Sequence, residues 1–135
     1  MFCAIVHGEA QADIVFRDQR VCAFLDARPL YKGHVLVVPT AHYETIVDLP
    51  EAEIPSLFGA VARLAGAVER GLGADGVFTA NNNRISQSVP HMHVHVIPRH
   101  KGDGLRGFFW PRAKYASADE SADFARRIAA ALPTG

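Results

Sequence analysis

Short apolar runs separated by turn-forming residues fill the first third of the chain. Residues 13–16 and 21–25 flank the polar stretch Arg17-Asp18-Gln19-Arg20, a pattern that predicts a β-hairpin. Residues 33–39 (Gly-His-Val-Leu-Val-Val-Pro) are rich in β-branched side chains and end in a proline that cannot donate to a ladder. They predict a buried strand carrying one polar residue, His34. From 54 to 72 the period changes: apolar residues at 54, 57, 58, 61, 64, 65, 68 and 72 follow the three-and-four spacing of a one-sided helix. Gly71 and Gly73 suit its C-terminal stop, while Pro50 and Pro55 predict a start in two short pieces. Two more strands are expected at 76–80 and 91–98, joined by the polar loop 81–88. A Gly-rich segment at 101–108 leads to an amphipathic helix over 117–132, where Ser117 and Glu120 have the spacing of a capping box. The expected fold is α+β: a largely antiparallel sheet of about five strands, one long central helix and a C-terminal helix.

The composition narrows the setting. With 135 residues, 49 % of them hydrophobic, the chain fills one core and is expected to form a single domain. Its motif-bearing part spans 1–101, with an extension over 102–135. Fourteen Lys and Arg balance fourteen Asp and Glu, which leaves no net field to hold nucleic acid or an anionic membrane. Cys3 and Cys22 are too few for a disulfide framework. The sequence shows neither a secretory leader nor an apolar stretch of spanning length, so the expected location is the cytoplasm.

Histidine changes the picture. Seven are present, and His91-Met92-His93-Val94-His95-Val96-Ile97 alternates strictly. On a strand the three imidazoles share one face, neighbours about 6 to 7 Å apart, and Met92, Val94 and Val96 take the other. A water-facing strand normally carries Lys, Glu, Thr or Ser, and a single satisfied core histidine does not explain three. Two chemistries use such a row. One is a metal site, with His34 or His42 as a fourth ligand. The other is phosphoryl or nucleotidyl transfer, in which one neutral imidazole attacks phosphorus while a neighbour, held protonated, donates to the phosphoryl oxygens.

The residues resemble the histidine-triad superfamily of nucleotide hydrolases and transferases, whose signature alternates three histidines with apolar residues. The resemblance covers roughly residues 2–101. It takes in Ala23-Phe24-Leu25-Asp26-Ala27-Arg28-Pro29, Lys32-Gly33-His34-Val35-Leu36-Val37-Val38-Pro39 with His42 after it, and Gln87-Ser88-Val89-Pro90 ahead of the triad. It implies that His93 is the nucleophile, forming a covalent nucleotidyl-histidine that water hydrolyses. His95 and His34 would surround the phosphate, and His91 would orient His93 from behind. Asp26 would accept from ribose hydroxyls, with Phe24 and Ala27 near the base. Gln87, Ser88 and Asn81 would lie near the phosphate and leaving group, Asn81 on a loop one residue shorter than usual. The substrate implied is a small-molecule purine nucleotide, AMP joined to an amine, an acyl group or a second phosphate. No cofactor is implied, and the family habit is a homodimer. Zinc-bearing members carry a Cys-x-x-Cys with histidines matching His42 and His91. Here only Cys3 matches, so no metal is expected to be required.

Residues 99–114 hold five basic side chains against Asp103. Either a solvated face or a rim for polyphosphate accounts for them, and Phe108, Phe109 and Trp110 could stack on a base or pack on the protein. A nucleotide-binding module acting through a partner protein, with incidental turnover, is the other class of function the sequence allows.

Overall fold

The hairpin, the buried third strand and the two later strands join in one sheet of order β1-β2-β3-β5-β4, every neighbouring pair antiparallel. This is a computed structural model, and it describes residues 1–105 and 111–133. The strands are β1 (Ile14–Arg17), β2 (Val21–Leu25), β3 (Val35–Pro39), β4 (Gly76–Ala80) and β5 (Val94–Arg99). The helices are α1 (Phe2–Val6), α2 (Ile54–Leu72) and α3 (Ala118–Ala131). Two compact units result, Met1–Asp103 and Gly104–Gly135. Among the described residues no helix is long and apolar enough to cross a membrane.

The central strands are apolar on both faces because both are covered. One face packs Val21, Ala23, Val35, Val37, Val94 and Val96 against Leu57, Ala60, Val61, Leu64 and Val68 of α2. The other packs Cys22, Phe24, Leu36 and Val38 against Phe2 and Val6 of α1. The five-residue α1 was not expected from the sequence. A helix this short has no stability of its own, and tertiary contacts hold it: Arg17 of β1 donates from Nη2 to the carbonyls of Val6 and, at 3.2 Å, Ile5.

Residues 46–48 and 51–53 form short 3-10 turns before α2, and Pro55 sits in the first turn, where its missing N–H costs nothing. Gly73 closes α2 in the left-handed region, with φ of 62°. The strand expected at 91–98 pairs only from Val94. His91, Met92 and His93 precede the ladder because Met92 N–H donates to the carbonyl of Tyr43 instead, at 2.7 Å. In the second unit, Ser117 caps α3 by accepting from Glu120 N–H, while Glu120 reaches back one residue beyond the cap, to Ala116 N–H.

Candidate active site

The alternation at 91–96 survives although the first half lies outside the ladder. Met92, Val94 and Val96 sit in the core beneath α2. The histidines face the α1 side, where the Phe2 ring stands edge-on to His91 and His93, with centroids 6.0 and 5.0 Å away. They do not form an even row. The His93 and His95 rings are 5.0 Å apart, whereas the His91 ring packs against His42 at 4.9 Å.

Backbone groups fix the tautomers, because a carbonyl can only accept and an N–H only donate. His93 Nδ1 lies 2.7 Å from the carbonyl of His91, so it carries the proton and leaves the Nε2 lone pair free. His91 Nε2 donates to the carbonyl of Pro39 at 3.0 Å, leaving Nδ1 as an acceptor. Leu30 N–H donates to His34 Nδ1 at 3.1 Å, so the single proton of His34 is on Nε2, 2.9 Å from His95 Nδ1. The proton of His95 is thereby placed on Nε2. The one N–H of His34 is thus spent on His95.

Burial makes this arrangement neutral. It is the largest influence on His34, His91 and His95, and lowers the pKa of each. His95 falls to about 4, with His93 and His34 pushing the same way and the Asp26 carboxylate opposing. The expectation of a protonated flanking donor is therefore corrected for His95, whose imidazole is neutral near pH 7. Asp26 Oδ2 lies 3.7 Å from His34 Nε2, but desolvation outweighs that carboxylate, so the contact is not an ion pair.

A pocket of about 550 Å³, the size of a small-ligand site, opens over these groups. Its lining includes Asp26, Ala27, Ser88, His93 and His95 from the expected set. Met1, Phe2 and Arg28 join them without having been expected. Asp26 Oδ1 accepts from Arg28 N–H at 2.9 Å, which fixes the carboxylate at the pocket wall. Three expected contacts fall elsewhere. Phe24 is buried behind Phe2, rings 5.4 Å apart. Gln87 has its amide engaged by Glu44 O at 2.5 Å and Arg84 N–H at 2.8 Å. Asn81 donates to the carbonyl of His93 at 2.8 Å and accepts from Asn83 at 2.5 Å. The amides of Asn81 and Gln87 are thus engaged in closing the loop. Arg106, Phe108, Phe109 and Trp110 lie outside the described residues.

Behind His93, Cys3 Sγ stands 3.5 Å from His42 Nδ1 and 3.4 Å from His91 Nδ1, and the two nitrogens are 3.1 Å apart. Tetrahedral zinc with ordinary Zn–S and Zn–N bonds sets its ligand atoms about 3.3 to 3.6 Å apart. The spacing and the thiol–imidazole chemistry fit three corners of such a site, with His91 oriented by Pro39 as a metal-bound histidine usually is. Among the described residues no fourth Cys, His, Asp or Glu joins them. Asp26, His34 and His95 also cluster, but could hold a cation only by giving up the His34–His95 hydrogen bond.

The model of the HIT domain matches residues 7–102. An uncharacterised HIT-like protein of Methanocaldococcus jannaschii is 43 % identical over 106 residues, 77 % of this chain and 81 % of that one. A HIT family crystal structure from Bacillus subtilis superposes with a TM-score of 0.89 at 33 % identity, covering 100 % of this chain and 98 % of that one. Two relatives carry the name of an activity. A bis(5'-nucleosyl)-tetraphosphatase of Schizosaccharomyces pombe is 33 % identical over 68 % of this chain and 52 % of its own. An adenylylsulfatase of Arabidopsis thaliana is 31 % identical over 78 % and 54 %.

Proposed function

Since the chain belongs to the HIT family, we propose that it is a nucleotide hydrolase or nucleotidyl transferase working through a covalent nucleotidyl-His93 intermediate. The observation that carries this reading is the protonation pattern: His93 turns its lone pair toward the pocket while the His91 carbonyl holds its Nδ1–H. Attack by Nε2 on the α-phosphorus forms the N–P bond and breaks the bond to the leaving group, which departs with the electron pair. Positive charge then appears on the His93 ring, where the His91 carbonyl meets it. His95 Nε2–H, positioned by His34, donates to the phosphoryl oxygens as their charge grows. Water then attacks the phosphorus, forming the P–O bond of the free nucleotide as the P–N bond breaks and its electron pair returns to His93 Nε2.

The relatives named for a bis(5'-nucleosyl)-tetraphosphatase and an adenylylsulfatase both act by name on a nucleotide compound, the second on an adenylyl one, which supports AMP as the retained half. A phosphoramidate, an adenylate and a dinucleoside polyphosphate share that α-phosphorus. Asp26 is the ribose contact, with Ala27 beside the base. The reading predicts AMP release from at least one of these substrates and its loss in His93→Ala.

The chemistry needs no metal. An ion held by Cys3, His42 and His91 would act structurally, tying α1 to the histidine strap behind His93. A homodimer is part of the proposal. β4 forms an edge of the sheet, and α2 exposes Ile54 and Phe58. The expected solution mass is twice the 14.7 kDa chain, read by light scattering; a monomeric mass contradicts it.

A further inference from the structure

We propose that Asn83 is a positioning residue for the nucleophile, acting through Asn81 on the backbone of His93. The inference rests on the reading of His93 as the attacking group.

His93 needs such support because it lies before the ladder begins. The last residue of β4, Ala80, pairs with His95, and β5 starts at Val94. Beyond that point a side chain takes over from the sheet: Asn81 Nδ2 donates to the carbonyl of His93 at 2.8 Å. Asn81 Oδ1 accepts from Asn83 Nδ2 at 2.5 Å, and Asn83 Oδ1 accepts from Ile46 N–H at 2.7 Å. Both ends of this chain are main-chain groups of one polarity each, a donor at Ile46 and an acceptor at His93. The orientation of both amides is therefore forced, and neither can flip without opposing like atoms. The other end is anchored too. The segment from Tyr43 to Ile46 is strapped to the triad loop at two further points, Met92 N–H to Tyr43 O at 2.7 Å and Gln87 Nε2 to Glu44 O at 2.5 Å. Asp48 closes the same segment by accepting from Thr45 N–H and Oγ1–H at 3.1 and 2.9 Å. With Nδ1 of His93 fixed by His91 O and its carbonyl by Asn81, the direction of the Nε2 lone pair is set from both sides.

Asn83 does not line the pocket. Its loss should therefore reach the chemistry through geometry, with ground-state binding spared. The isosteric variant Asn83→Asp still accepts from Ile46 but sets a carboxylate oxygen against Asn81 Oδ1. The expected result, measured with the full chain on whichever nucleotide the wild type turns over, is kcat lower by about 10- to 100-fold with KM within about threefold. Single-turnover formation of the nucleotidyl-enzyme should slow in parallel. Asn81→Ala and Asn83→Ala should not compound: the double variant should be no slower than the slower single one, as for residues acting in one chain. The proposal is overturned if Asn83→Asp keeps kcat within twofold of wild type, if its effect falls on KM, or if the two alanine effects multiply. Should Asn83→Asp not fold, Asn83→Ser is read by the same criteria. His93→Ala separates the two levels. If it leaves turnover intact, the nucleophile assignment fails; if it abolishes turnover while the Asn83 variants act normally, only the relay fails.

Discussion

At the scale of single residues, main-chain partners decide what each histidine can do. Four imidazoles that look alike in the sequence come to differ in which nitrogen is free, according to which one meets a carbonyl or an N–H, and the proposed roles of attacking group, phosphate donor, support for that donor and metal ligand follow from that difference. The alternation of the triad and the place of Asp26 at the pocket wall were legible, because a two-residue period and a charged group beside a strand end survive folding. The partners of Phe24, Asn81 and Gln87 were not. A side-chain amide can serve a ligand or a neighbouring loop equally well, and only the approach of residues 43–46 decides it. The meeting of Cys3, His42 and His91 was legible only through the resemblance, since 88 residues separate the first from the last. Cys3→Ser should weaken zinc binding at least tenfold by competition against a metal indicator, while chelator-treated wild type keeps its turnover. Equal zinc affinity in the two proteins would contradict the ligand assignment, and activity lost with chelator and regained with zinc would contradict the metal-free chemistry.

At the scale of elements, long periodic segments were read well. The helix over 54–72 and the strand over 76–80 match the structure at both ends. The misses lie where tertiary contacts override local preference. α1 exists because Arg17 and the Phe24 face hold it, and the strand expected at 91–98 begins late because Met92 bonds to Tyr43. The turn before β3 shows how tightly the site is joined to α2. Gly33 has φ of +99°, and a Cβ there would run into the end of the Leu72 side chain. Gly33→Ala should therefore combine backbone strain with a steric shift next to His34, at a cost of about 1 to 3 kcal/mol. Chemical denaturation measures it, and an unchanged midpoint would show that the turn can relax.

For the whole molecule, the buried histidines link stability to pH. The unfolded chain takes up protons at these groups near pH 6.5, whereas folding keeps His34, His91 and His95 neutral further into acid, His95 to about 4. The unfolded state thus binds more protons in that window. Stability is at its full value above about 6.5 and falls as the pH drops toward 4. Urea midpoints should decline steadily from pH 7 to pH 4.5, and a flat profile would mean that these groups are solvated or charged in the folded state. Assembly is the property least legible in the chain, because an exposed apolar residue on α2 reads the same whether solvent or a second copy covers it.

The most direct test of the account is steady-state AMP release from adenosine 5'-phosphoramidate and, in parallel, from diadenosine polyphosphate, comparing wild type with His93→Ala in chelator. The account predicts turnover of at least one substrate by the wild type and a loss of several orders of magnitude in the variant, with AMP still bound. Equal rates in the two proteins, or no turnover by either, would contradict a covalent mechanism at His93.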